Sequence, residues 1–181
     1  MLTLKQISIR NFKSIGNQEQ VLEIAPYTLL FGPNSAGKST LIQALLYAYE
    51  VLAHHNYDAR DTRLGGQHID LGGFSSLIHM HDPDGSIEIG ISVRHQRSDP
   101  QEDVIDNLPE HFLPKDSATR GYLVVLFFEL FRRHRVFEVK FSISRDHLGV
   151  PVMKWLEVRA EEETILKLGS DDDLTGSYMT A

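Results

Sequence analysis

Residues 31–40 read FGPNSAGKST, and this string limits the possible folds more than any other part of the chain. Gly32, Gly37, Lys38 and Ser39 fit the spacing G-x-x-x-x-G-K-[ST]. The glycines let the backbone turn tightly, so that its N–H groups converge on phosphate oxygens. Lys38 adds a point charge suited to β and γ phosphates, and the Ser39 hydroxyl can ligate Mg²⁺. A helix that starts there turns its positive end toward the same anion. Average residue frequencies put the pattern in about one unrelated chain of this length in a hundred. The flanks agree with it. YTLLF, 27–31, suits a buried strand, and residues 38–54 switch to helical spacing. Leu41, Ile42, Leu45, Leu46, Tyr49 and Leu52 form the stripe expected to face the core.

The rest of the chain reads mainly as strands. Candidates are 2–10 and 20–24, an alternation from Ile87 to Val93 with one wet face, a second from Phe137 to Ile143, and short strands near 152–159 and 163–168. YLVVLFFELF, 122–131, fits a strand or a helix, and its β-branched and aromatic content favours strand. Residues 55–75 read as loop, 96–120 as a surface insertion, and the end of the chain as a tail. The division expected is a phosphate-loop core at 1–55, a loop region at 56–86, a β-rich subdomain at 87–168 and a flexible tail at 169–181. A doubly wound domain would alternate strands and helices to its end, and this pattern does not.

Composition narrows the partners. The formal charge of −7 argues against wrapping nucleic acid by bulk attraction, and the RRHR cluster at 132–135 reads first as solvated surface. No apolar run reaches the roughly 18 residues of a membrane span. The chain has no cysteine, which excludes disulfides and thiolate metal sites and fits a cytoplasmic protein. His79, His81, Asp82 and Asp84 form a candidate metal cluster, although Pro83 and Gly85 favour a turn whose Asp side chains bond backbone. His54 and His55 suit a helix carboxy terminus. Glu129, after LVVLFF, is the nearest match to a Mg²⁺-holding carboxylate at a strand end, but more apolar sequence follows it and it reads first as an exposed strand residue.

ISIRNFKSIG, 7–16, followed by YTLLFGPNSAGKSTLIQAL, 27–45, resembles the amino-terminal end of the RecF/SMC/OLD class of ABC-type ATPases. More narrowly, IDLGGFSSLIHMHDPDGSIEIGISV, 69–93, resembles bacterial AAA-family ATPases that carry a DUF3696 region, some of them found beside antiphage defence genes. The resemblance covers about residues 1–95. It implies an α/β P-loop NTPase fold of ABC/SMC type, here the amino-terminal lobe with an antiparallel β-subdomain, incomplete by itself. It assigns Gly32, Pro33, Asn34, Ser35, Ala36, Gly37, Lys38, Ser39 and Thr40 to the phosphate loop, with Lys38 catalytic and Ser39 on the metal. Asn11 and Phe12 fall on the base and ribose side, although Phe12 also reads as core. Gln67 is a candidate for the glutamine that bridges Mg²⁺ and water.

The cofactors implied are ATP and Mg²⁺. Relatives carry a Walker B aspartate, a catalytic glutamate, a signature motif and a switch histidine in their carboxy-terminal half, and none is recognisable here. Because such ATPases bury two ATP molecules between two heads, the resemblance implies a head-to-head dimer with a second copy. It also implies little turnover by this chain alone, and a nucleic acid or partner protein as the object of the full protein's action. An alternative is a nucleotide-regulated scaffolding module that does not hydrolyse. A small-molecule kinase fits poorly, since no second substrate pocket or lid is visible.

Overall fold

Six strands form one antiparallel sheet whose apolar face carries the core. They are β1 (Leu2–Arg10), β2 (Gln20–Glu23), β5 (Ile87–His95), β6 (Val136–Arg145), β7 (Pro151–Ala160) and β8 (Glu163–Gly169), in the order β2-β1-β5-β6-β7-β8. The computed structural model describes residues 2–34, 37–60, 62–64, 67–95, 130 and 132–169. The region expected as a phosphate-loop core and the expected β-rich subdomain therefore share one sheet, because β1 pairs along its length with β5.

Alternation along the strands builds the core face. Ile9 lies opposite Ile89, which lies opposite Phe141, and Phe141 faces Leu156 on β7. Ile7, Ile9, Ile87, Ile89, Phe141 and Ile143 are buried, and each buried side chain of this size contributes about 1.5–3 kcal/mol. The second face of β5 is drier than its alternation suggested. Gly90 there faces Ser8 so closely that a Cβ would lie 2.5 Å from the Ser8 hydroxyl, which would have to move to admit a side chain.

Helix α1 (Lys38–His54) matches the range expected from its spacing, but a different face of it is buried. Thr40, Ala44, Tyr47, Ala48, Glu50 and Val51 are buried, whereas Ile42 and Tyr49 are exposed and Leu41, Leu45, Leu46 and Leu52 are partly covered. The small side chains of Ala44 and Ala48 let the helix approach its neighbours closely. The larger residues of the expected stripe flank that contact.

Two further expectations are corrected. Residues 55–75 are not all loop: β3 (Thr62–Leu64) and β4 (Gln67–Ile69) pair antiparallel, and α2 (Phe74–Leu77) follows. YTLLF is not a buried strand. Among the described residues no strand runs beside 27–31, and Tyr27 and Phe31 are 94% and 86% exposed. After Pro26, Thr28 bonds back to Ala25, its hydroxyl accepting from Ala25 N at 3.0 Å and donating to Ala25 O at 3.1 Å. Such local bonding competes with extended pairing.

Of YLVVLFFELF, residues 122–129 and 131 lie outside the described residues, as does the expected insertion at 96–120. Leu130, Arg132 and Arg133 are helical, and His134 N donates to Leu130 O at 2.9 Å, so the end of that run is not strand. Residues 170–181 of the expected tail are likewise outside, while Gly169 closes β8.

Candidate functional site: the phosphate loop

The loop leads into α1 through Gly37, which sits in the left-handed region at φ 85° and accepts Leu41 N at 3.2 Å. That conformation is strained for any residue with a Cβ. No side chain caps the amino terminus of α1, and its first turn holds no acidic residue. The helix therefore presents its positive end without an internal counter-charge. Lys38 folds back over the loop, where Nζ donates to Gly32 O at 2.8 Å and to Pro33 O at 2.6 Å. These bonds satisfy two of the ammonium's three donors. They also hold the charge above the turn, where a phosphate would compete for it.

Gly32, Pro33 and Asn34 thus lie with Gly37, Lys38, Ser39 and Thr40 around one turn, and Ser35 and Ala36 lie outside the described residues. Ser39 is exposed, whereas Thr40 is buried and pairs with Ser14, their hydroxyl oxygens 3.0 Å apart. A cleft of about 590 Å³ opens beside the loop, lined among others by Ser14, Ile15, Val21, Leu29, Phe31 and Lys38. Its volume is in the range of small-molecule sites. Among the described residues lining it there is no carboxylate.

The other assignments are largely redirected. Phe12 is fully buried and stacks on Tyr47, with ring centroids 5.9 Å apart, so it is a core residue and does not face the cleft. Burial also drives the Tyr47 hydroxyl far above its ordinary range, and it donates to Tyr57 O at 2.6 Å. Asn11 is structural too: it is left-handed at φ 57°, and its Nδ2 donates to Ser86 O at 2.9 Å. Ser14 and Ile15, a few positions along the same RNFKSI string, reach the cleft instead. The signal for them was the string itself, since no periodicity marks a turn.

His79 and His81 lie in a 3₁₀ turn, not a strand, and their Nδ1 atoms bond Lys13 O at 2.7 Å and Ser75 O at 2.6 Å. Asp82 Oδ1 accepts Asp84 N at 3.1 Å, as a turn requires. No group of three or more His, Asp or Glu that could hold a metal occurs among the described residues. His55 adopts the left-handed cap of α1 at φ 53°, and its N–H donates to Glu50 O. In RRHR, His134 lies 3.6 Å from Glu161 and 3.9 Å from Glu163, and Arg135 N donates to Glu161, which ties the segment to the β7–β8 turn. Glu129 and the side chain of Gln67 lie outside the described residues. No helix among the described residues is long and apolar enough to cross a membrane.

Residues 6–123, well over half of the chain, match the AAA domain family. The chain belongs to that family. The family's P-loop is represented here by a phosphate loop and helix packed on an antiparallel sheet. It is 40% identical over 48 residues to the chromosome partition protein Smc of Synechococcus sp.. That match takes in 26% of this chain and only 4% of the relative's length. A solved structure described as concerning ATP-driven dimerization and DNA-stimulated activation of SMC ATPases superposes with a TM-score of 0.43 at 16% identity. The alignment covers 90% of this chain and 72% of that one.

Proposed function

We propose that this AAA-family chain binds ATP with Mg²⁺ at residues 32–40, Lys38 and the backbone N–H groups holding the phosphates. The observation that carries the reading is the amino terminus of α1. It is uncapped and free of acidic residues, has Gly37 left-handed, and has Lys38 lying over the loop at the mouth of a ligand-sized cleft. Of the protein donors there, the exposed Ser39 hydroxyl is the one suited to Mg²⁺. One hydroxyl fits a metal that takes its remaining ligands from phosphate oxygens and water. Bound there, Mg²⁺ would neutralise charge between phosphates.

Hydrolysis needs in addition a carboxylate and a group that orients water, and the described cleft lining supplies neither. We therefore assign turnover to a divided site completed by a second copy in a head-to-head dimer, with a DNA-, RNA- or defence-related switch as its output. ATP turnover measured over a range of protein concentrations tests this. At concentrations where the chain is monomeric it should show none above background. Turnover per chain that is measurable and independent of concentration contradicts a divided site.

The second reading, a nucleotide-regulated interaction module, is favoured by one observation. Tyr27, Leu29 and Phe31 stand exposed next to the loop, and exposed apolar clusters mark protein contacts.

A further inference from the structure

We propose that Ser14 is a positioning residue of the phosphate loop, one that fixes the Thr40 hydroxyl and with it the first turn of α1. The proposal rests on the nucleotide reading above and extends it to a residue outside the loop motif.

Ser14 stands on a turn that cannot easily shift. Asn11 N donates to Gly16 O at 2.8 Å, Ile15 N to Phe12 O at 2.8 Å and Lys13 N to Leu77 O at 2.6 Å. Lys13 O is bonded in turn by the His79 ring at 2.7 Å, and the buried Phe12 ring anchors the turn against Tyr47. Lys13 is itself left-handed at φ 50°, which turns the chain sharply just before Ser14. Ser14 then reaches across 26 positions of sequence to Thr40, at 3.0 Å between the hydroxyl oxygens. Its hydroxyl also lies over the cap of the helix, since a Cβ on Gly37 would sit 3.5 Å from it.

The partner explains why this contact matters. Thr40 is 7% exposed, so its hydroxyl needs a hydrogen bond. Without Ser14, that hydroxyl loses this partner at the start of α1, and an unsatisfied buried hydroxyl is costly. Any shift that restores a bond would fall on the first turn of α1, whose N–H groups take the phosphates in the reading above. Small errors of placement are costly where several donors must converge on one group. Ser14 is exposed and lines the same cleft as Gly37 and Lys38, so the effect of losing it should register on nucleotide more than on folding.

The test is calorimetric titration of the protein with MgATP for wild type, Ser14→Ala, Ser14→Thr and Lys38→Ala, with thermal midpoints recorded without nucleotide. Ser14→Ala should weaken ATP binding by about 3- to 10-fold, the scale of one net hydrogen bond. Ser14→Thr keeps the hydroxyl and should stay within about 2-fold. The nucleotide-free midpoints of both should stay close to wild type. Wild-type affinity in Ser14→Ala, equal losses in Ser14→Ala and Ser14→Thr, or an affinity loss matched by a fallen midpoint would each overturn the proposal. If Lys38→Ala abolishes binding while Ser14→Ala does not alter it, only the role of Ser14 falls. If wild type itself takes up no MgATP, the nucleotide reading falls and the role of Ser14 falls with it.

Discussion

Two neighbouring segments meet opposite fates, and not in the order of their apolar content. Residues 11–16 fold into a turn held by backbone bonds on both sides, with Phe12 wholly buried. Residues 27–31 have no strand beside them among the described residues, and their aromatic ends stand in solvent. Side-chain hydrophobicity alone would bury the second, with four apolar residues of five, before the first, with two of six. What differs is whether another element supplies hydrogen-bonding groups and a surface to pack on. The turn has both, from α2, the 3₁₀ turn and α1. Residues of both segments line the cleft beside the phosphate loop.

The sharpest way to break this contrast is at Phe12. Phe12→Ala removes a ring with no exposure and a stacking partner, and should cost about 3–5 kcal/mol in denaturant unfolding. A loss below about 1 kcal/mol would mean that the turn is not anchored by its core contact. A smaller effect is expected one layer deeper. Tyr47→Phe keeps the packing but strips the bond to Tyr57 O, and should cost about 1–2 kcal/mol by the same measurement. The smallest belongs to the other segment. Phe31→Ser should change stability by less than about 0.5 kcal/mol, because an 86% exposed ring has little packing to lose. A cost comparable to that at Tyr47 would show that Phe31 packs against something, and would erase the contrast.

Much of this arrangement could be read from the residues, and the failures share a cause. The limits of α1 and the central parts of the strands, Ile87 to Val93 and Phe137 to Ile143, follow from periodicity, which is a local signal. Which face of α1 is buried does not. Leu41, Ile42, Leu45 and Tyr49 and the opposing Ala44, Tyr47, Ala48 and Val51 are both apolar enough, and only the position of the neighbouring elements decides between them. The β3–β4 hairpin leaves no mark in the sequence pattern, because three-residue strands carry too little alternation. Phe12 was directed toward nucleotide because sequence spacing cannot show the left-handed residues on either side of it, Asn11 and Lys13, which turn its ring inward. For the same reason Ser14 escaped notice. The motif from Gly32 to Ser39 was legible because its chemistry depends on fixed local spacing and on nothing distant.

The central claim is that the amide hydrogens at the head of α1 and the Lys38 ammonium take the phosphates of a nucleotide. Calorimetric titration of folded wild-type protein and of Lys38→Ala with ATP, in the presence and absence of Mg²⁺, tests it most directly. The account predicts saturable heat for wild type, strengthened by Mg²⁺, and its abolition or sharp reduction in Lys38→Ala with circular dichroism unchanged. Equal affinity in the two proteins, or no heat from well-folded wild type, would contradict it.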